Sequence, residues 1–337
     1  MKISFYQPDA PDVEKLLALD PDKEWFLFTP AQRWVAQTYF RLKNRGHDLS
    51  LTNHVPDSGI VVYQQRHHDP LVKALGKKKN KELILVCIRG DKSESIVADF
   101  EIVQNDKWAD NNKFFYIPFW PQPGLIPRDK SRGTRVEVVS FKGFNTNLHK
   151  YFFKEKWFKW IIENGFKWQL DSQKFDSSNE MVTASWHDYK EVDVIIALRN
   201  KKSRIDQIRG FTSKPAAKLY NAWHAGVPVI LGPEYAYQQI RKSKLDYIEV
   251  ENINQVKETL LYLKENPSYY NKMVENGFNR AADYTVDKIA SMWEDFLFEE
   301  IPLQLNKQGF QPIIQLPLKW RMLYQKLNRL VVGRPER

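Results

Sequence analysis

The stretch FTSKPAAKLYNAWHAGVPVILGPEYAY, residues 211–237, concentrates side chains that can hold an anion. Lys214, Lys218 and Asn221 are spaced so that, at about 100° per residue, they share one narrow helical stripe. Leu219, Ala222, Trp223 and Gly226 make a different stripe, suited to a core. Ser213 reads as an N-cap, Pro215 as a first-turn residue and Gly226 as a left-handed cap, with the apolar strand VPVIL behind it. The lysines therefore stand where free N–H groups and the helix dipole already favour negative charge. Like charges at i,i+4 beside a positive dipole end are unfavourable alone and become sensible around a phosphate. A solvated face that tolerates two lysines is the plainer alternative.

Other polar groups sit just past apolar runs, where open parallel sheets bind ligands. Arg199 follows VDVIIAL and is suited to a diphosphate or to a surface ion pair. Glu234 and Tyr235 occupy the turn after VPVIL and suit sugar or ribose hydroxyls. Asp91, in IRGD, is a candidate general base or a turn residue. His67 and His68, in RHHDP, offer an imidazole base or an exposed helix cap. Trp120, in WPQPG, is a sugar-stacking platform or part of a linker. No metal site is expected: the two histidines are adjacent, and no helical His-x-x-x-His pair occurs.

These residues need a scaffold, and the pattern supplies an α/β one. WFLFT, GIVVY, LILVCI, FEIVQ and FFYIPF read as strands, with helices over AQRWVAQTYFRLKNRG and HDPLVKALGKK. Residues 120–135, rich in Pro, Gly and charge, read as an interdomain linker. The pattern then restarts, with strands at VEVVSFKGF, FKWQL, VDVIIAL, VPVIL and DYIEV. Helices are expected over LHKYFFKEKWFKWIIENG and over most of the chain after residue 252. The expected organisation is a first domain over 1–133, a second over 134–300 and a basic helical tail over 301–337.

Composition narrows the function classes. The chain has 337 residues, which suits two domains, and 42% hydrophobic residues, enough for a core in each. Cys87 is the single cysteine, so no internal disulfide or cysteine metal cluster can form, and a reducing, cytoplasmic setting is expected. The start lacks the apolar core of a signal peptide, and no run approaches the roughly 20 apolar residues of a membrane helix. The net charge of +10 suits phosphate ligands, nucleic acid or an anionic membrane. Nucleic acid is set aside because interleaved aromatic and basic motifs are missing. No P-loop, G-x-G-x-x-G or G-x-S-x-G motif occurs.

The stretch KLYNAWHAGVPVILGPEYAY resembles the donor-binding motif of GT-B fold glycosyltransferases, in which a helix ending in AxAxGxPV leads into a core strand. It is also similar to the TEKL…NA…VPVVLGP stretch of the bacterial and animal fucosyltransferases. The likeness is strong over roughly 25 residues and looser over the two-domain layout. In that family the Lys of TEKL contacts the donor diphosphate; Lys218 holds the matching position, and Ala217 stands where the family has Glu. In the large retaining families a Glu heads this helix and touches the donor; Asn221 stands there.

The resemblance implies an α/β chain of two Rossmann-like domains of GT-B type, with a donor/acceptor cleft between them and C-terminal helices. It implies a glycosyltransferase for polysaccharide biosynthesis, of hexosyl or deoxyhexosyl class. The sugar would pass from a nucleotide-diphospho-sugar, the co-substrate, to a glycan or lipid-linked acceptor, with no metal or other cofactor required. Lys214, Lys218 and Arg199 would hold the diphosphate, Asn221, Glu234 and Tyr235 the rest of the donor, and Asp91 or His68 would take the acceptor's proton. The rival reading is a non-catalytic nucleotide- or glycan-binding protein that kept the fold. In the tail, Leu316, Trp320, Leu323, Leu327 and Leu330 share a face flanked by Lys319, Lys326 and Arg329. That helix either packs back onto the first domain, as the resemblance implies, or makes a peripheral contact at the inner face of the membrane.

Overall fold

The structure is a computed structural model that describes residues 1–10, 13–20, 22–23, 32–76, 82–90, 92, 94–173, 185–200 and 214–307, together with 320 and 323. The chain divides into two compact units. One holds the described residues of 1–119, 213–215 and 286–337, the other those of 120–212 and 216–285. The expected strand WFLFT, the candidate base Asp91, the candidate N-cap Ser213 and nearly all of the tail face lie outside the described residues.

Among the described residues, the first unit is built on six parallel strands: β1 (Ile3–Tyr6), β2 (Leu49–Thr52), β3 (Gly59–Gln64), β4 (Leu83–Ile88), β5 (Phe100–Val103) and β6 (Phe114–Tyr116). Their order is β2-β1-β3-β4-β5-β6. The strands β3 and β4 are buried throughout, as continuous apolar runs in a parallel sheet covered on both faces must be. The sequence reading did not anticipate β1 and β2, whose runs ISFY and LSLT are only four residues each. The helices α1 (Val13–Leu17), α2 (Gln32–Lys43) and α3 (His68–Leu75) connect the strands. Val35, Tyr39 and Leu42 are buried on α2, as their spacing predicts, but Ala36, Gln37, Thr38 and Phe40 are buried too, so the helix is covered on more than one side.

The second unit carries β7 (Val138–Phe144), β8 (Lys167–Gln173), β9 (Val194–Ala197), β10 (Val229–Leu231) and β11 (Ile248–Glu249). All are parallel, in the order β11-β10-β9-β7-β8. Its described helices include α4 (Glu155–Glu163), α5 (Ala217–Ala225), α6 (Tyr235–Gln238), α7 (Ile253–Glu265) and α8 (Pro267–Ala281). The helix expected from Leu148 is split: a 3₁₀ turn at Lys150–Phe153 precedes α4, because Lys154 is extended (φ −95°, ψ 146°).

Residues 120–135 are not a loose connection. Ile126 N–H donates to His187 O and Arg128 N–H to Ala225 O. The guanidinium groups of Arg128 and Arg132 converge on the buried Asp193 at 2.7 Å, and Asp193 also accepts the N–H groups of Glu137 and Val138. Burial works to raise the pKa of Asp193, but these donors outweigh it and hold the carboxyl below its usual range. Trp120 is itself buried, which removes it as an open stacking platform.

Helix α9 (Val286–Glu294), a π turn (Asp295–Glu300) and α10 (Ile301–Leu305) group with the first unit. Arg45 Nε donates to Glu294 at 2.8 Å, and the Phe298 ring stacks on His47.

Candidate functional site

In the second sheet the chain leaves β7 for β8 on one side, then returns to lay β9 on the other. The connections diverge at the carboxyl ends of β7 and β9, the crevice where open α/β sheets take ligands. Arg199 stands two residues past β9, with Nε donating to Glu234 Oε1 at 2.9 Å and a second guanidinium N–H donating to Asn147 Oδ1. Asn147 ends the short turn after β7, and Glu234 follows β10. One guanidinium thus joins the ends of three neighbouring strands. Glu234 is buried, and its Oε2 has no hydrogen-bond partner among the described residues.

Lys218, the second residue of α5, reaches the same end of the sheet. Its Nζ lies 5.5 Å from the Phe141 ring centroid on β7. A Cβ placed on Gly143 would stand 3.1 Å from that ammonium nitrogen, and Gly143 has φ +151°. Glycine therefore serves here twice, for its backbone angle and for the room it leaves the ammonium. Helix α5 ends as expected: Gly226 has φ +69°, and a Cβ there would meet the Phe278 ring at 2.6 Å.

The three-residue stripe does not hold for Lys214. Helix α5 begins at Ala217, after Ala216 at φ −81°, ψ 18°, and Pro215 disfavours helical geometry in Lys214 before it. The backbone carbonyl of Lys214 instead accepts from Asn105 Nδ2 at 3.2 Å, and residues 213–215 group with the first unit. Asn221 does lie on α5, where its Oδ1 accepts the Gln122 N–H at 2.9 Å. Tyr235 opens α6, directly after Glu234, and is half-buried.

In the first unit the connections diverge between β1 and β3. His68 opens α3 past β3; burial, which favours the neutral imidazole, lowers its pKa against the opposing pull of the Asp69 carboxylate. His67 is buried, with Nε2 3.5 Å from Asp9 Oδ2. Asp9 was missed from sequence because β1, which positions it, was missed; the signal was an apolar ISFY followed at once by polar Gln7 and Asp9. Among the described residues no group of three or more His, Cys, Asp or Glu side chains could hold a metal ion. No helix among them is long and apolar enough to cross a membrane.

No protein-family model and no curated protein matches the sequence. Solved structures do match in three dimensions. The chain is similar to TarM, with a TM-score of 0.51 and 12% identity over 79% of this chain and 58% of that one. It therefore spans little more than half the length of TarM. It is also similar to Anabaena HepE in complex with UDP (TM-score 0.47, 10% identity, 88% of this chain and 99% of that one). A third likeness is to WaaG, a glycosyltransferase involved in lipopolysaccharide biosynthesis (TM-score 0.44, 12% identity, 81% and 97%). Two parallel α/β sheets in tandem, with closing helices, give this chain the fold of the GT-B glycosyltransferases.

Proposed function

We propose that this chain transfers a hexose or deoxyhexose from a nucleotide-diphospho-sugar to a hydroxyl of a glycan or lipid-linked acceptor, with the second unit as donor domain and the first as acceptor domain. The observation that carries the reading is the cationic pair at the strand ends. Arg199 is braced between Asn147 and Glu234, and Lys218 reaches over Gly143 from the start of a helix. As the bond from the anomeric carbon to the diphosphate oxygen breaks, negative charge grows on the leaving group. Fixed cations and helix N–H groups there stabilise that charge with little reorganisation. Side-chain cations suffice for this in the proposed scheme, so no metal step is invoked.

Glu234 Oε2 accepts from a hydroxyl of the donor's sugar or ribose, beside Tyr235. Lys214 is assigned to the diphosphate from sequence nearness alone. The acceptor oxygen bonds the anomeric carbon, and its proton passes to His68, whose burial favours the neutral base, or to Asp91.

A second reading is a binding protein without turnover. Asn221 favours it, since it stands where the resemblance places a donor-contacting Glu and its Oδ1 already accepts the Gln122 N–H. Thermal shift with UDP-, GDP- and ADP-sugars, followed by assay for release of the nucleoside diphosphate, separates the two. Stabilisation by one donor with release supports transfer, stabilisation without release supports the binding protein, and no stabilisation contradicts both.

A further inference from the structure

We propose that α4 and the turn before it form a surface that seats on an anionic lipid bilayer. The helix has a clear inner side: Trp157 and Ile161 are buried, and Trp157 packs edge-on against Phe152 and Trp168. Its outer side carries Glu155, Lys156, Lys159 and Glu163, but it also exposes two large apolar side chains. Ile162 is 71% exposed and Phe158 41%, and their i,i+4 spacing sets them on one face. Phe153, in the turn just ahead, is 39% exposed. Single exposed apolar residues are ordinary, but here three large ones fall within ten residues of chain, two of them one helical turn apart on the same face.

The charges around these side chains select the occupant. Lys150, Lys154, Lys156 and Lys159 are all exposed, against the carboxylates of Glu155 and Glu163, and Glu163 stands 3.8 Å from Lys159. Helix α7 adds cations beside α4: Lys257 Nζ lies 5.1 Å from the Trp160 ring, and the exposed Lys264 donates to Asn164 O. Aromatic and aliphatic side chains ringed by long, flexible lysines suit a fluid, negatively charged plane, where the apolar groups enter the headgroup boundary and the ammonium groups stay at phosphate level. The inference is independent of the transfer reaction and of the basic tail.

The test uses the full chain with Ile162→Cys, labelled with a polarity-sensitive fluorophore. The single native thiol, Cys87, is buried and stays unlabelled. Vesicles of phosphatidylcholine with phosphatidylglycerol should blue-shift the label and pellet the chain. Neutral vesicles should do so weakly, and added salt should reverse the effect. A variant carrying Phe158→Ser, Lys154→Ser and Lys159→Ser should lose vesicle binding about tenfold at an unchanged melting temperature. Pelleting without any change in the label would show that another surface binds, and absence of pelleting would show that none does; either overturns the proposal.

Discussion

Arg199 Nε donates to Glu234 Oε1 at 2.9 Å, so the ends of two neighbouring strands in the second sheet are tied by one charged pair. Arg199→Ala should raise the dissociation constant for the nucleoside diphosphate about tenfold or more. It should also cost about 1–3 kcal/mol of stability, because the buried Glu234 loses its partner. Arg199→Ala combined with Glu234→Gln should recover the stability and leave binding impaired. Titration calorimetry and denaturant unfolding read the two effects separately.

Gly143→Ala tests the space over β7. The added methyl meets both the Lys218 ammonium, at 3.1 Å, and the Phe141 ring, at 3.2 Å, from a backbone angle that favours glycine. The expected result is weaker binding of the diphosphate with a modest fall in melting temperature. Gly133→Ala is the control, since a Cβ there meets nothing within 4 Å and Gly133 also has positive φ. It should lower stability alone.

Glu101 gives the first unit a pH dependence. It is fully buried on β5, with Oε1 accepting the Ser95 N–H, and burial pushes its pKa up to about 7 against the pull of Lys113 and Arg89. An unfolded carboxyl releases its proton near 4.5, so unfolding releases protons between that value and about 7, and stability falls as pH rises through this window. Glu101→Gln should therefore stabilise the chain little at pH 5 and by about 3 kcal/mol at pH 8. Thermal melts of both proteins across that range check the sign.

Asp193 behaves in the opposite sense. Its carboxyl is held below the usual range, so it adds stability at neutral pH that is lost as pH falls through the lowered pKa. Asp193→Asn leaves Arg128 and Arg132 without their buried counter-charge and should cost about 3–5 kcal/mol at pH 7. Urea unfolding at pH 7 and pH 3 should show the gap between the two proteins shrinking in acid.

Much of this was legible in the sequence, for physical reasons that differ by element. Buried parallel strands such as LILVCI announce themselves as unbroken apolar runs, and Gly226 announces a left-handed cap. ISFY and LSLT were too short to stand out, and with them went Asp9 and its pairing to His67. The start of α5 was misjudged by a few residues because Ser213 and Pro215 carry a strong start signal; that error placed Lys214 on a face it does not share with Lys218. Arg199 and Glu234 are legible from their positions past strands, and Lys218 from its place at a helix start, but the brace through Asn147 needs strand order, which spacing along a chain does not encode. The Asp193 cluster was invisible for the same reason, since Arg128 and Asp193 are 65 residues apart.

The central claim is that the carboxyl ends of β7 and β9, with Lys218 above Gly143, hold a nucleoside diphosphate. Titration calorimetry of the intact chain with UDP, GDP and ADP, repeated on Lys218→Ala, tests it most directly. The account expects saturable binding of at least one of them, and a loss on Lys218→Ala of about 1.5–3 kcal/mol, the worth of a charged hydrogen bond, with the melting temperature of the free protein unchanged. Equal affinity in the two proteins, or no binding by the parent chain, would contradict it.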